Sequence, residues 1–144
     1  MKYLQFENYL SQLNKLVQEY DLVDQVSFTG SIDRKSVMDH YADTNLMILP
    51  SVSEGLARVI FESQVTACPV LVTDAPGMGD IVIDGQTGYI FESDNLESLT
   101  NKIQEIINNY NDAVHVGNNA KDFILSNYSA DNFKFSFKKL FDTV

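Results

Sequence analysis

The sequence predicts an α/β protein: a doubly wound parallel sheet of about four strands with helices on both faces. Three observations carry that expectation. The runs Leu46-Met47-Ile48-Leu49 and Pro69-Val70-Leu71-Val72-Thr73 are apolar without alternation, as strands covered on both faces read. Segments of helical period separate such runs, so strands and helices alternate along the chain. With 144 residues, 44% of them apolar, there is enough chain for one cored domain and too little for two of ordinary size, so a single domain over 1–144 is expected.

The elements follow in order. Tyr3, Phe6, Leu10, Leu13, Val17 and Tyr20 recur at three- and four-residue steps, which lays one apolar stripe along a first helix. Val26 and Phe28 alternate with polar neighbours before Thr29-Gly30, a first strand and turn. A short helix fits Asp33 to Tyr41, then the buried strand at 46–49 ends at Pro50. A helix over about 56–66, a second buried strand at 69–73 and a short strand at 88–91 complete the alternation. Asp94, three residues before Glu97, makes a capping box for a helix carrying Leu96, Leu99, Ile103, Ile106 and Ile107. Two more helical stretches are expected near 112–126 and 130–142, and the phenylalanines at 133, 135, 137 and 141 of the last one suit packing.

Charge and composition exclude several classes. A formal charge of −10 repels polyphosphate, and Arg34, Arg58 and scattered Lys form no concentrated basic face, so no nucleic-acid partner is expected. Cys68 is the only cysteine; set within an apolar run with no His or basic neighbour, it reads as a small buried side chain. No Asp-x-Asp motif occurs, and His40 and His115 lack metal-ligand spacing to carboxylates or to Cys68, so no metal is expected and both read as structural. Gly77-Met78-Gly79 lacks the third glycine and the acidic residue of a dinucleotide fingerprint and reads as loop punctuation. No signal peptide or membrane span is legible; a cytoplasmic location, peripheral at the inner membrane face at most, is the expectation.

In a doubly wound sheet ligands sit at the carboxyl ends of the strands, which directs attention to Thr29-Gly30-Ser31, to Pro50-Ser51-Val52-Ser53-Glu54-Gly55 and to Thr73-Asp74-Ala75-Pro76-Gly77. The second turn is the richest. A strand, a short polar loop and Glu54-Gly55 opening a helix would aim backbone N–H groups and a positive helix end into the crevice, where an anion binds. Gly55 removes the side chain at the closest approach, and Glu54 and Glu62, eight apart, face roughly one side. Carboxylates accept from sugar hydroxyls and repel phosphate, so the ligand expected is a phosphate flanked by hydroxylated rings, a nucleotide sugar.

The ordered set Leu49-Pro50-Ser51-Val52-Ser53-Glu54-Gly55-Leu56, Glu62, Pro69-Val70, Asp74, Gly77, Asp80-Ile81-Val82 and Asp84-Gly85-Gln86-Thr87-Gly88 resembles the group-1 glycosyltransferases, family 4 of the retaining enzymes with the GT-B fold. Val26-Ser27-Phe28-Thr29-Gly30 resembles the strand and turn that precede it, so the likeness runs from about residue 10 to the end. It implies a Rossmann-like donor-binding domain and a nucleoside-diphosphate sugar as substrate, with no cofactor and no metal. Carried over by position, Glu54 is the catalytic candidate. Glu54 and the backbone of Gly55, Leu56 and Ala57 would meet the donor sugar and phosphate, Ser51 and Arg58 would flank them, and Glu62 would accept from the ribose hydroxyls. The turn Gly30-Ser31-Ile32 would lie near the base. Glu62 as a solvated helix residue, and Glu54 as a favourable charge at a helix start, stay open as plainer readings.

Two departures stand out: positions 56 and 57 are Leu and Ala where the family has a small residue with Phe, and position 67 is Ala where it has Gly. Arg58, in a first helical turn, opposes the macrodipole, which suggests a partner in Glu54, Glu62 or a donor phosphate, with an exposed, unpaired Arg58 as the open alternative. The family's domain opens with two further strands, a Gly-Arg loop and a nearby Lys that neutralise the leaving diphosphate, and an acceptor-binding domain precedes it; neither is legible here. The expectation is therefore a chain inactive alone, completed by an acceptor-binding domain or partner chain, with the outer edge of the strand at 46–49 re-paired or covered by another chain, a second copy included. The rival expectation is a non-catalytic binding or assembly partner of a complete transferase.

Overall fold

In a computed structural model the chain is described at residues 2–53, 58–79, 81–128 and 132, with side chains from residue 9 on. Two compact units divide it, residues 1–33 and 34–144.

The first unit is a helix and its return. The helical stripe forms α1 (Lys2–Glu19), in which Leu10, Leu13 and Val17 are half-buried while Tyr20 just beyond is exposed. Asp21 closes the helix in the left-handed conformation at φ 55°. Leu22 N donates to Val17 O at 2.8 Å and Asp21 N to Gln18 O at 3.2 Å, the paired bonds that satisfy a helix's last carbonyls. The strand expected at Val26 to Phe28 does not form: the segment is irregular, with Val26 and Phe28 exposed. Alternation marks a strand only where a neighbouring strand takes up its backbone groups, and none does so here among the described residues.

The second unit holds α2 (Arg34–Asp43), β1 (Met47–Leu49), α3 (Arg58–Val65), β2 (Val70–Thr73), β3 (Tyr89–Phe91), α4 (Leu96–Asn108) and α5 (Tyr110–Asn127). The described strands make one parallel sheet in the order β1-β2-β3, three rather than about four. Register pairs Met47 with Val70 and Leu71 with Tyr89. β2 is central and wholly buried, as its composition predicts. β1 is an edge, and the expectation that residues 46–49 are covered throughout is corrected: Ile48 is 39% exposed, because no strand lies on its outer side among the described residues.

Helices cover both faces. Val70 and Val72 point to a core with Ile60 of α3, Ile124 of α5, Ala75, Met78, Ile81 and Val82. Leu71 points the other way, to Tyr89, Phe91, Ile106, Ala113 and Val116. Period-2 side chains on a sheet buried on both sides produce this division.

Two joins carry detail that motif reading does not. In Asp84-Gly85-Gln86-Thr87-Gly88 the Thr87 hydroxyl, buried, accepts from Ile83 N at 2.9 Å, and Asp84 Oδ1 accepts from Ile90 N at 2.8 Å. A Cβ on Gly88 would stand 2.6 Å from Val70 Cγ2, so glycine is what lets the turn close onto β2. Before α4, the cap is Asn95 and not Asp94: Asn95 Oδ1 accepts from Ser98 N at 2.9 Å, while Asp94 turns the chain at φ 56°. An extended Asn one residue nearer the helix reaches the N3 amide, and the left-handed Asp94 before it does not occupy the cap position. The second late helix forms as α5, and the one expected near 130–142, with its phenylalanines, lies outside the described residues except at Asn132.

Candidate functional site

At the carboxyl end of β1 the chain runs Pro50, Ser51, Val52, Ser53 before α3. Ser51 is half-buried, and its carbonyl accepts from the Thr73 hydroxyl at 2.5 Å, which ties the end of β1 to the end of β2. Asp74 performs the same service one strand on: its N donates to Phe91 O at 3.0 Å, and its Oδ1 accepts from Ser93 N at 2.8 Å. Three successive strand ends are thereby locked into one rim. A cleft of about 260 Å³ opens there, lined by Pro50, Thr73, Phe91, Asp94, Asn95, Leu96 and Leu99. The rule that ligands gather at strand ends applies to the turn after β3 as to the others, and that signal would have added 94–96 to the sequence candidates.

Of the sequence candidates, Glu54, Gly55, Leu56 and Ala57 lie outside the described residues. Arg58 opens α3 as described and is exposed, with no ion pair among the described residues, so its expected pairing with Glu62 does not form. Glu62 has a different partner. Its Oε1 lies 3.5 Å from a guanidinium nitrogen of Arg34, the first residue of α2, with the Glu62 side chain 27% and that of Arg34 84% exposed. The charge of Glu62 also reaches Tyr41, on the same helix as Arg34: burial, then Glu62, then Cys68, pushes the Tyr41 phenol up. The carboxylate thus sits where α2 meets α3, half-buried and open to solvent on one side. Sequence reasoning named Arg34 only as a scattered cation; the missing signal was the packing of α2 on α3, which no local pattern encodes.

The residues flanking Glu62 fix its helix. Phe61 meets Tyr128 edge-on at 5.1 Å between ring centres, and Gln64, fully buried, donates through Nε2 to Thr87 O at 2.8 Å. α3 is therefore anchored on both sides of the carboxylate, one bond leading directly to the Gly-x-Thr-Gly turn.

Gly30 and Ile32 belong to the first unit, where Gly30 is exposed at φ 61° and Ile32 is half-buried. Within that unit Tyr9, Leu10, Leu13, Ser27, Phe28, Thr29 and Gly30 line a cavity of about 380 Å³.

Cys68 is buried and free, and burial pushes its thiol up against weaker opposing hydrogen bonds from Ser63 and the Met47 backbone; a neutral thiol is a poor nucleophile. His40 and His115 are exposed on α2 and α5. Met78, in the Gly77-Met78-Gly79 stretch, is fully buried in the core, so that stretch is packing and punctuation. Among the described residues no group of three or more His, Cys, Asp or Glu is placed to hold a metal ion, and no helix is long and apolar enough to cross a membrane.

Compared with known proteins, residues 7–123 match the family model described as glycosyl transferases group 1. The chain is 33% identical over 115 residues to an uncharacterised glycosyltransferase of Methanocaldococcus jannaschii, a match covering 78% of this chain and 33% of that protein. Its fold is similar to that of sucrose-phosphate synthase from Thermosynechococcus elongatus, with a TM-score of 0.81 at 26% identity over 92% of this chain and 33% of the other. It is similar also to Anabaena HepE, solved in complex with UDP and glucose, with a TM-score of 0.85 over 98% of this chain and 38% of the other; at 19% identity that likeness is one of fold. The chain spans about a third of the length of these proteins.

Proposed function

We propose, from the premise that the chain belongs to the glycosyl transferases of group 1, that it is the donor-binding domain of a retaining transferase and holds a nucleoside-diphosphate sugar at the carboxyl ends of its strands. The observation that carries this reading is the placement of Glu62: a half-buried, solvent-facing carboxylate on the helix that follows β1, on a backbone anchored by Phe61 and Gln64. A carboxylate with two acceptor oxygens suits a vicinal pair of ribose hydroxyls and repels the phosphates, so it fixes which end of the nucleotide lies beside it. HepE, with the same fold, is solved with UDP and glucose, which supports a nucleotide sugar as the ligand class.

In this reading the backbone of Gly55, Leu56 and Ala57 meets the phosphate as a helix start does, with Ser51 and Arg58 beside it. Glu54 accepts hydrogen bonds from the sugar and stabilises charge as the anomeric carbon exchanges its bond to the diphosphate oxygen for one to the acceptor oxygen on the same face, the acceptor hydroxyl's proton passing to the departing diphosphate. The phosphate is met by amides and Arg58, with no metal assigned a part. Transfer needs donor and acceptor held together, so the acceptor, a glycan, lipid or protein, is bound by a further domain or partner chain, and residues 1–144 alone do not turn over. The setting proposed is cytoplasmic, where nucleotide sugars are made.

Isothermal titration with uridine and guanosine diphosphates and their sugars tests the reading. Binding in the micromolar to millimolar range to one of them, weakened about tenfold by Glu62→Ala, is expected. Silence toward every nucleotide would overturn the donor-binding role and favour a non-catalytic assembly partner.

A further inference from the structure

α2 opens with two adjacent cations and no acid, although its positive end disfavours both. Lys35 has its own answer on the same helix, with Nζ 2.8 Å from Asp39 Oδ2. No carboxylate of α2 forms an ion pair with Arg34 among the described residues. Its counter-charge is Glu62, on α3, 28 residues along the chain. The pair joins two elements that otherwise meet through side-chain packing, and it engages one carboxylate oxygen only: Oε1 lies 3.5 Å from the guanidinium, and Oε2 has no partner among the described residues. Tyr41, also on α2, feels the charge of the same carboxylate. The carboxylate thus meets a cation at one oxygen, with its side chain 27% exposed to solvent.

We propose that Arg34 is a positioning residue for nucleotide binding: it holds Oε1 of Glu62 so that Oε2 stands ready for the ribose hydroxyls. The proposal rests on the donor-binding reading of Glu62 and deepens it by naming the residue on which that contact depends. A glutamate side chain has three rotatable bonds, and an unheld one must be ordered at the moment of binding, at the expense of affinity. A guanidinium at one oxygen removes part of that cost beforehand. Because Arg34 is almost wholly exposed, the pair adds little to stability, so an effect on binding without an effect on folding is its signature.

The test compares uridine and guanosine diphosphates with their 2′,3′-dideoxy forms by calorimetry on the full chain. The ratio of the two affinities isolates the hydroxyl contact from the phosphate and base contacts. Wild type is expected to favour the hydroxylated nucleotide, and Glu62→Gln to weaken that preference. Arg34→Ala is expected to lower it roughly two- to tenfold with an unchanged melting temperature, and Arg34→Lys to restore part of it. Wild-type preference in Arg34→Ala, alongside a lost preference in Glu62→Gln, overturns the positioning role and leaves the donor site standing. A shifted melting temperature in Arg34→Ala with equal loss for both nucleotides assigns Arg34 to folding and overturns it also. No hydroxyl preference in wild type, or no nucleotide bound at all, removes the Glu62 reading and the inference with it.

Discussion

The carbonyl oxygen of Ala67 occupies the place where a side chain on Gly117 would begin: a Cβ there would stand 2.3 Å from it. α5 crosses the turn between α3 and β2 at this point, backbone against backbone, with Pro69 Cδ 3.3 Å from the same position. Gly117→Ala is therefore expected to destabilise. Alanine favours a helix interior by about 1 kcal/mol over glycine, yet forcing α5 off the Ala67 backbone costs more, for a net loss of about 2 kcal/mol. Urea unfolding should show a lower midpoint with an unchanged slope; a midpoint at or above wild type would mean that the crossing is looser than described.

The other half of that contact carries its own strain. Ala67 sits at φ 62°, in the closing turn of α3, where Ala67 N donates to Gln64 O at 2.9 Å and Cys68 N to Ser63 O at 3.3 Å. This is the helix-ending motif whose left-handed position glycine fills at least cost. Ala67→Gly is expected to relieve about 1–2 kcal/mol of backbone strain while enlarging the unfolded ensemble by about 0.4–1 kcal/mol, a net gain of roughly 0.5 kcal/mol. A thermal melt one to a few degrees higher is the expected reading, roughly. A fall in the midpoint would show that the Ala67 methyl contributes more by packing than its conformation costs.

Much of this architecture is legible in the sequence because local pattern and burial agree. β2 reads as buried and is, the spacing of Leu99, Ile103 and Ile106 places one face of α4 on the sheet, and Cys68 reads as a buried small side chain. What fails depends on neighbours. Alternation at Val26 and Phe28 marks strand potential, but a strand needs a partner edge, and Ile48 is exposed for the same reason. The proposed site divides likewise: spacing and a strand-end rule nominate Glu62, whereas its ion-pair partner Arg34 is set by how α2 lies on α3. Arg58, four residues before Glu62 on one helix face, is the partner that local spacing suggests, and tertiary packing gives Glu62 to Arg34 instead.

Three groups are expected to make stability fall at alkaline pH. Burial, as the largest cause, raises the Cys68 thiol and the Tyr41 and Tyr89 phenols above their ordinary values; for Tyr89 the charges of Glu105, Asp112 and Asp84 add to it. In the unfolded chain a thiol ionises near about pH 8.5 and a phenol near about pH 10, while the folded groups stay protonated. The unfolded state then binds fewer protons, so the stability these groups contribute is complete below about pH 8 and is lost as pH rises from there toward their folded values. Unfolding free energies at pH 7.5, 9 and 10 are expected to decline in that order. Cys68→Ala should flatten the first part of the decline and leave the second; an unchanged profile between pH 8 and 9.5 in that variant would exclude the thiol as its source.

Arg58 sets stability and binding against each other. Arg58 is exposed on α3 and has no ion pair among the described residues, and a cation near a helix start opposes the dipole. Such a cation costs a few tenths of a kcal/mol to about 1 kcal/mol, so Arg58→Ala is expected to leave the free protein as stable as wild type or slightly more so. An arrangement that is neutral or unfavourable without ligand gains a purpose if a phosphate completes it, since a guanidinium and an oxyanion form one of the stronger charge-assisted hydrogen bonds. Arg58→Ala should then weaken a nucleoside diphosphate about tenfold and leave the nucleoside's affinity unchanged. Equal losses for diphosphate and nucleoside would place Arg58 away from the phosphates, and unchanged affinity for both would make it an ordinary surface residue.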